Sequence, residues 1–415
     1  MNEAAQGDAP MPDPARFRML ALICVGVICA MTPWFSATAI LPELRVGWNM
    51  GPAMAAMLTN AVQAGFVIGA LGISLTGLAD RVAPIRLMSV GAALAGLFTL
   101  TMIAVESALP ATGMRFLTGL SLALVYPPAM KLTTTWFVRG RGLAMGLVIG
   151  GLTMGSAMPH LLRAVTADID WRAVVIGAAL ISAVGAVLFA TALREGPYPT
   201  ARAVFDLRQA RTVFRSRPVA LANIGYFGHM WELYAMWAWL LVYAQQMLDA
   251  QAIPASARTA SLIVFAVIAA GAVGAIIGGV LADRIGRTLT TAGMLITSGT
   301  CAVLIGFTFD GPVWLFALVA LIWGVSVVGD SAQFTAMVTE VTDRHLVGTA
   351  LAMQMGIGFL ITIVSIQILP LIAATLPGGW RWSFLALIPG PIIGALAMLR
   401  LRRLPESLKI AQGRR

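Results

Sequence analysis

Residues Gly279 to Arg287 read G-V-L-A-D-R-I-G-R, and residues Gly77 to Arg81 read G-L-A-D-R, followed by Arg86. Each copy lies between two long apolar stretches, at equivalent places in the two halves of the chain. A short charged loop repeated between hydrophobic spans predicts two related helical bundles in a membrane, and so transport. Other landmarks recur at nearly the same offset. Asp80-Arg81 returns as Asp283-Arg284 after 203 residues, Gly142 as Gly348 after 206, and Trp171-Arg172 as Trp380-Arg381 after 209. This predicts six plus six spans in parallel orientation.

Composition supports the same reading. The 415 residues are 59% hydrophobic and 11% charged, where soluble proteins carry about 25% charged residues. Mean hydropathy is +0.86. The apolar residues come in blocks long enough to cross about 30 Å of hydrocarbon. Twelve spans are predicted: 18–39, 53–78, 85–105, 110–132, 141–164, 171–193, 218–246, 259–281, 288–308, 313–338, 347–373 and 381–400. Backbone in lipid must satisfy its own hydrogen bonds, so these are helices and the fold class is an all-α membrane protein. The first run follows Arg16 and Arg18 and precedes Ala37-Thr38-Ala39, as in a cleaved signal peptide. Its length, Pro33 and Trp34 predict instead a retained first span.

The predicted organisation is a tail (1–17), a six-helix bundle (18–193), a linker (194–217), a second six-helix bundle (218–400) and a tail (401–415). The linker carries Arg194, Arg202, Arg208, Arg211, Arg215 and Arg217, and is expected on the inner membrane surface beside anionic lipid. With the N-terminus inside, 22 of the 28 Lys and Arg fall on the inner side. That asymmetry predicts a multi-pass protein of the cell inner membrane with both termini cytoplasmic. It also explains the net charge of +10 without nucleic acid.

At these residues the chain resembles the major facilitator superfamily of secondary transporters. G-V-L-A-D-R-I-G-R follows that family's loop signature, and the first-half copy departs from it at Ala83 and Pro84. Arg115-Phe116-Leu117-Thr118-Gly119 resembles its R-x-x-x-G signature, and Trp136-Phe137 with Arg141-Gly142 its loop between spans four and five. The resemblance implies two six-helix bundles around a central cavity that opens alternately to each side. It places Asp80 near the start of span eleven, around Gly348, and Asp283 near the start of span five, around Gly142. There a carboxylate would cap a helix N-terminus and hold an inner gate shut. Arg81, Arg284, Arg287 and Arg141, with Arg139 and Arg344, are the gate's candidate cations. Drug–proton antiporters of the family often carry Gly-Pro in span five, where this chain reads Gly150-Gly151-Leu152-Thr153-Met154-Gly155. Its nitrate-type and oxalate-type carriers use Arg or Lys in spans two, eight or eleven, and none stands at those depths here.

An ionised residue at mid-bilayer costs at least about 2.5–3.5 kcal/mol, which marks Glu232, Asp330 and Arg115 as candidate functional residues. Glu232 lies three residues after His229, so the two share a helix face and are candidates for proton exchange. Asp330 has Ser326 and Gln333 on its own face. Glu232, Asp330 and His229 are the candidate proton-coupling residues; the alternative is that they bond helix to helix. For Arg115 the resemblance implies a cavity-lining role, and the alternative is snorkelling to the surface. Tyr226 and Tyr234 of span seven are candidate solute contacts, with Asn60, Gln63, Asn223, Gln333 and Gln354 as candidate amides. Cys24, Cys29 and Cys301 show no metal-ligand spacing, and His160, His229 and His345 are far apart. No G-x-x-x-x-G-K-[ST] loop supports ATP-driven pumping. The expectation is therefore a non-enzymatic, monomeric symporter of a small organic solute and protons, without cofactor or metal, embedded in membrane lipid. A uniporter of the same fold and a non-transporting solute sensor are the alternatives.

Overall fold

The computed structural model describes residues 14–138, 140–198, 210–343 and 345–415, apart from the side chains of Ala79, Asp80, Ala210, Arg211 and Phe214. Expectations for the first thirteen residues, Arg139, Arg202, Arg208, Arg344 and the Asp80 and Arg211 side chains therefore lie outside the described residues. What is described is helical, with no strand.

Numbered in chain order, the long helices are α1 (Arg16–Met31), α2 (Pro52–Thr76), α3 (Pro84–Ala104), α4 (Ala108–Trp136), α5 (Arg141–Val165), α6 (Arg172–Ala192), α7 (Arg217–Ala250), α8 (Ser256–Ile285), α9 (Arg287–Phe307), α10 (Val313–Val341), α11 (Val347–Thr375) and α12 (Gly379–Arg402). Ten of these are long and apolar enough to cross a membrane by length and composition. The other two are α1 and α7. The first expected span is broken after Met31 and resumes as the short helix Ser36–Ala39. In α7, Asn223, His229, Glu232, Gln245, Gln246 and Asp249 dilute a 34-residue helix. Counted with these two, the described residues hold six long helices in each half.

Three expected spans contain breaks that periodicity does not announce. Pro33 falls between α1 and Ser36–Ala39 and removes an N–H donor. Pro127 and Pro128 remove the donors for the carbonyls of Ala123 and Leu124, and α4 loosens into a turn at Ala123–Val125. In α10 the helix stops at Gly329 and restarts at Ser331, leaving Asp330 at the joint.

The halves repeat one packing plan. In the first, α2 packs on α4, α3 on α6, and α1 on α5 and α6; in the second, α8 packs on α10, α9 on α12, and α7 on α11 and α12. Small residues let the backbones approach. A side chain at Gly65 would collide with the Phe116 carbonyl, and one at Gly274 with the Val325 carbonyl. Between the halves, α2 lies along α11 and α5 along α8. The start of α1, the end of α4 and the C-terminal segment share one end of the bundle, called here the terminal end. Phe17 meets Phe137 there, and Arg414 meets the α8–α9 loop.

Candidate functional site

The stripe of α7 at Asn223, Tyr226, Met230, Tyr234 and Trp237 follows helical spacing along the side that meets α11 and the first half. Tyr226 fills the space over Gly358 of α11. Tyr234 packs between Phe359 (ring centroids 5.3 Å apart), Trp237 (5.5 Å) and Trp34 (5.9 Å). Trp34 also meets Phe66 at 4.9 Å, and Phe66 meets Phe359 at 4.9 Å. Five aromatic rings from α2, α7, α11 and the break after α1 thus plug the seam between the halves.

Beyond the plug, away from the terminal end, the seam is stitched shut. Asn60 Nδ2 donates to the Ile363 carbonyl (3.0 Å) and to Gln367 Oε1 (3.1 Å), and Gln367 Nε2 donates to the Ala53 carbonyl (3.2 Å). Arg258 and Asp168 pair across the same end at 2.5 Å. Toward the terminal end α5 and α8 part. A Cβ on Gly150 would lie 3.5 Å from Ala272, whereas one on Gly146, Gly142 or Gly279 would meet nothing within 4 Å. Gln63, Asn223 and Gln354 are buried, and their amide atoms have no hydrogen-bond partner among the described residues.

The acids lie on a different side of α7. Glu232 is fully buried, roughly opposite the aromatic stripe, and faces α9 and α10. Its Oε1 accepts from Trp323 Nε1 (2.7 Å) and its Oε2 from Ser298 Oγ (2.8 Å). His229 Nδ1 stands 2.9 Å from Asp330 Oδ1, and its Nε2 stands 3.1 Å from Ser331 Oγ. His229 therefore engages Asp330 rather than Glu232. The joint in α10 brings this about: it frees Asp330 and Ser331 to address the two nitrogens of one ring. Ser326, expected beside Asp330, bonds back to the Ile322 carbonyl of its own helix (2.8 Å).

Arg115 is buried and does not snorkel. Its guanidinium donates to the carbonyls of Pro33 (2.8 Å) and Trp34 and to Ser36 Oγ (3.0 Å). It supplies the donors that the break after α1 leaves missing, with positive charge where a helix C-terminus favours it.

Two of the gate candidates, Arg287 and Arg141, are held within their own halves. Arg287 pairs with Glu340 through Nε and Nη2 (2.9–3.2 Å) and donates to Gln333 Oε1 (2.7 Å). Gln333 thus belongs to this network. Arg141 bonds the Phe137 carbonyl (3.1 Å). Asp283, Arg284 and Arg81 are exposed. The sequence reading missed the plug residues Trp34, Phe66 and Phe359, the Glu232 donors Ser298 and Trp323, and Glu340. A buried carboxylate does demand donors on neighbouring helices, but nothing in the sequence says which.

Two six-helix bundles that meet along a polar and aromatic seam, closed at one end, define a fold class of membrane transporters. The chain matches the profile of the Major Facilitator Superfamily over residues 23–364 and again over 250–415, and it belongs to that family. It is similar to a D-xylose–proton symporter structure (TM-score 0.74, 14% identity, 95% of this chain and 99% of that one). It is also similar to a bacterial homolog of the human lysosomal transporter Spinster, solved inward-facing and occupied (TM-score 0.73, 14% identity, 94% and 97%). A curated relative, "Probable sulfoacetate transporter SauU" of Cupriavidus necator, is 23% identical over 290 residues. That match spans 65% of this chain and 65% of the relative's length.

Proposed function

We propose that the protein is a proton-coupled secondary transporter that moves a small organic solute across the cell inner membrane by alternating access. The observation that carries this reading is the cluster of three titratable side chains, Glu232, His229 and Asp330, buried together inside the second bundle. Such groups are costly in a membrane, and an Asp–His pair provides a place to hold and pass a proton. α7 links them to the seam, because Tyr226 on its solute-facing stripe lies 6.0 Å from the His229 ring. With the terminal end in the cytoplasm, as the basic residues suggest, a seam shut at the far end is an inward-facing arrangement.

The unpaired amides of Gln63, Asn223 and Gln354, with Tyr226 and Tyr234, are the groups we assign to the solute. Sulfoacetate, named for the Cupriavidus relative, is the first solute to test. Against it stands Arg115, whose charge is spent on the break after α1. The test is uptake into proteoliposomes with and without an inward proton gradient, after a thermal-shift screen of solutes at two pH values. Accumulation against a concentration gradient only when protons flow inward is expected. Equal equilibration in both conditions would make the protein a uniporter.

A further inference from the structure

After α12 ends at Arg402 the chain turns back beneath the second bundle as the segment Pro405–Gly413. Ser407 and Ile410 are buried there. Ser407 Oγ donates to the Leu404 carbonyl (2.6 Å), which tightens the turn. The backbone N–H of Ala411 donates to Glu340 Oε2 (3.0 Å), the same carboxylate that clamps Arg287. The Arg414 guanidinium donates to the carbonyl of Asp283, in the last turn of α8, where carbonyls lack helical partners and favour a cation. The carbonyls of Arg414 and Arg415 fill the space that a side chain at Gly286 would take. Gly286 has φ +93°, which other residues rarely adopt, so the same glycine permits both the turn and the docking. Ala411 and Gln412 are held at φ +48° and +55°, a strained backbone that persists only under such contacts.

These contacts grip both ends of the Asp283–Arg287 loop from the side of its own bundle. Across the seam, the start of α5 at Arg141–Leu143 stands exposed, and a Cβ added at Gly142 would meet nothing within 4 Å. We propose that Pro405–Arg415 is a strap that holds the α8–α9 loop on the second bundle. It thereby favours the arrangement in which α5 and α8 part at the terminal end. Contacts made in only one of two arrangements shift the balance toward it, so release of the strap frees the loop to approach α5.

The test uses the full chain in nanodiscs without solute, with Cys24, Cys29 and Cys301 replaced by Ala. Spin labels on Leu143→Cys and Ile285→Cys report the α5–α8 separation by electron–electron resonance. Arg414→Ala is expected to shift the ratio of long to short separations by about tenfold toward short, the factor for one lost hydrogen bond to a charged group, and Ile410→Asp to shift it in the same direction by unseating the buried anchor. Arg414 is peripheral, so its variant remains informative if Ile410→Asp fails to fold. An Arg414→Ala distribution equal to that of the intact chain, or longer, overturns the strap. The measurement needs neither solute nor protons, so its outcome is separate from the transport reading.

Discussion

The two bundles share a frame and differ in what they do with their polar residues. The close α2–α4 contact of the first half returns in α8–α10 at a constant offset of 209. Gly65 on Phe116 becomes Gly274 on Val325, and Gly69 on Leu120 becomes Gly278 on Gly329. One pair is inverted: Gly119 meets Val62 in the first half, and Gly271 meets Val328 in the second. The glycine has changed helices while the approach is kept, so the frame requires the close contact and not the residue. In the same register Arg115 corresponds to Gly324, where any side chain would strike the Val267 carbonyl, and Asp330 corresponds to Ser121, which merely bonds back to Leu117. The first bundle turns its buried Arg115 to bracing a broken helix and pairs its buried Arg163 with Glu43. The second buries an Asp–His pair and a glutamate. Duplication supplied the scaffold, and the proposed proton coupling rests on residues of one copy.

That contrast is most exposed to failure at Glu232. Glu232→Gln keeps the size and both bonds to Ser298 and Trp323 within reach but removes the proton site. Gradient-driven accumulation should fall about a hundredfold, the low end for losing an acid–base group, while solute exchange across the membrane persists. Unchanged accumulation would leave the second bundle no more active than the first.

Arg115→Met tests the bracing role on the other side. The change leaves the carbonyls of Pro33 and Trp34 without donors, at about 1–3 kcal/mol each. The expected outcome is a lower thermal unfolding temperature with the proton dependence of transport retained. A loss of proton dependence at intact stability would instead place Arg115 in the coupling machinery. Gly274→Val tests the shared frame. Overpacking should cost about 1–3 kcal/mol, as should Gly65→Val, and a large difference between the two melting shifts would break the equivalence of the bundles.

The helical class, the duplication and the costly residues were all legible in the chain. They rest on composition, a repeated loop and the price of charge in lipid. Which way each residue faces was not legible. Lipid is as apolar as a neighbouring helix, so periodicity does not separate the two sides of a span. Hence the donors of Glu232, 66 and 91 residues away on α9 and α10, could not be read, nor could the turn of Arg115 toward the first span. The joint at Asp330 was equally silent, having no proline, and it redirects His229 from Glu232 to Asp330. Pro127 and Pro128 mark a break that the sequence reading passed over inside the apolar run 110–132.

The smallest expected effect concerns what the halves do together. The far end is closed by a buried stitch at Asn60 and by an exposed ion pair between Arg258 and Asp168. The pair is the shorter contact, at 2.5 Å, yet exposed ion pairs contribute only about 0–1 kcal/mol. Hydrogen bonds between membrane helices average about 0.6 kcal/mol each, so the two donated by Asn60 should contribute about 1.2 kcal/mol, roughly sevenfold in a population. Both sets exist only while the far end is shut. Spin labels on Val165→Cys and Leu262→Cys, at the far ends of α5 and α8, would read the opening. Asn60→Ala should raise the open fraction about sevenfold, and Arg258→Ala by about fivefold at most, with the second effect fading as salt is added. The reverse order would mean that the halves are held by surface charge, and that the stitch between α2 and α11 follows closure instead of maintaining it.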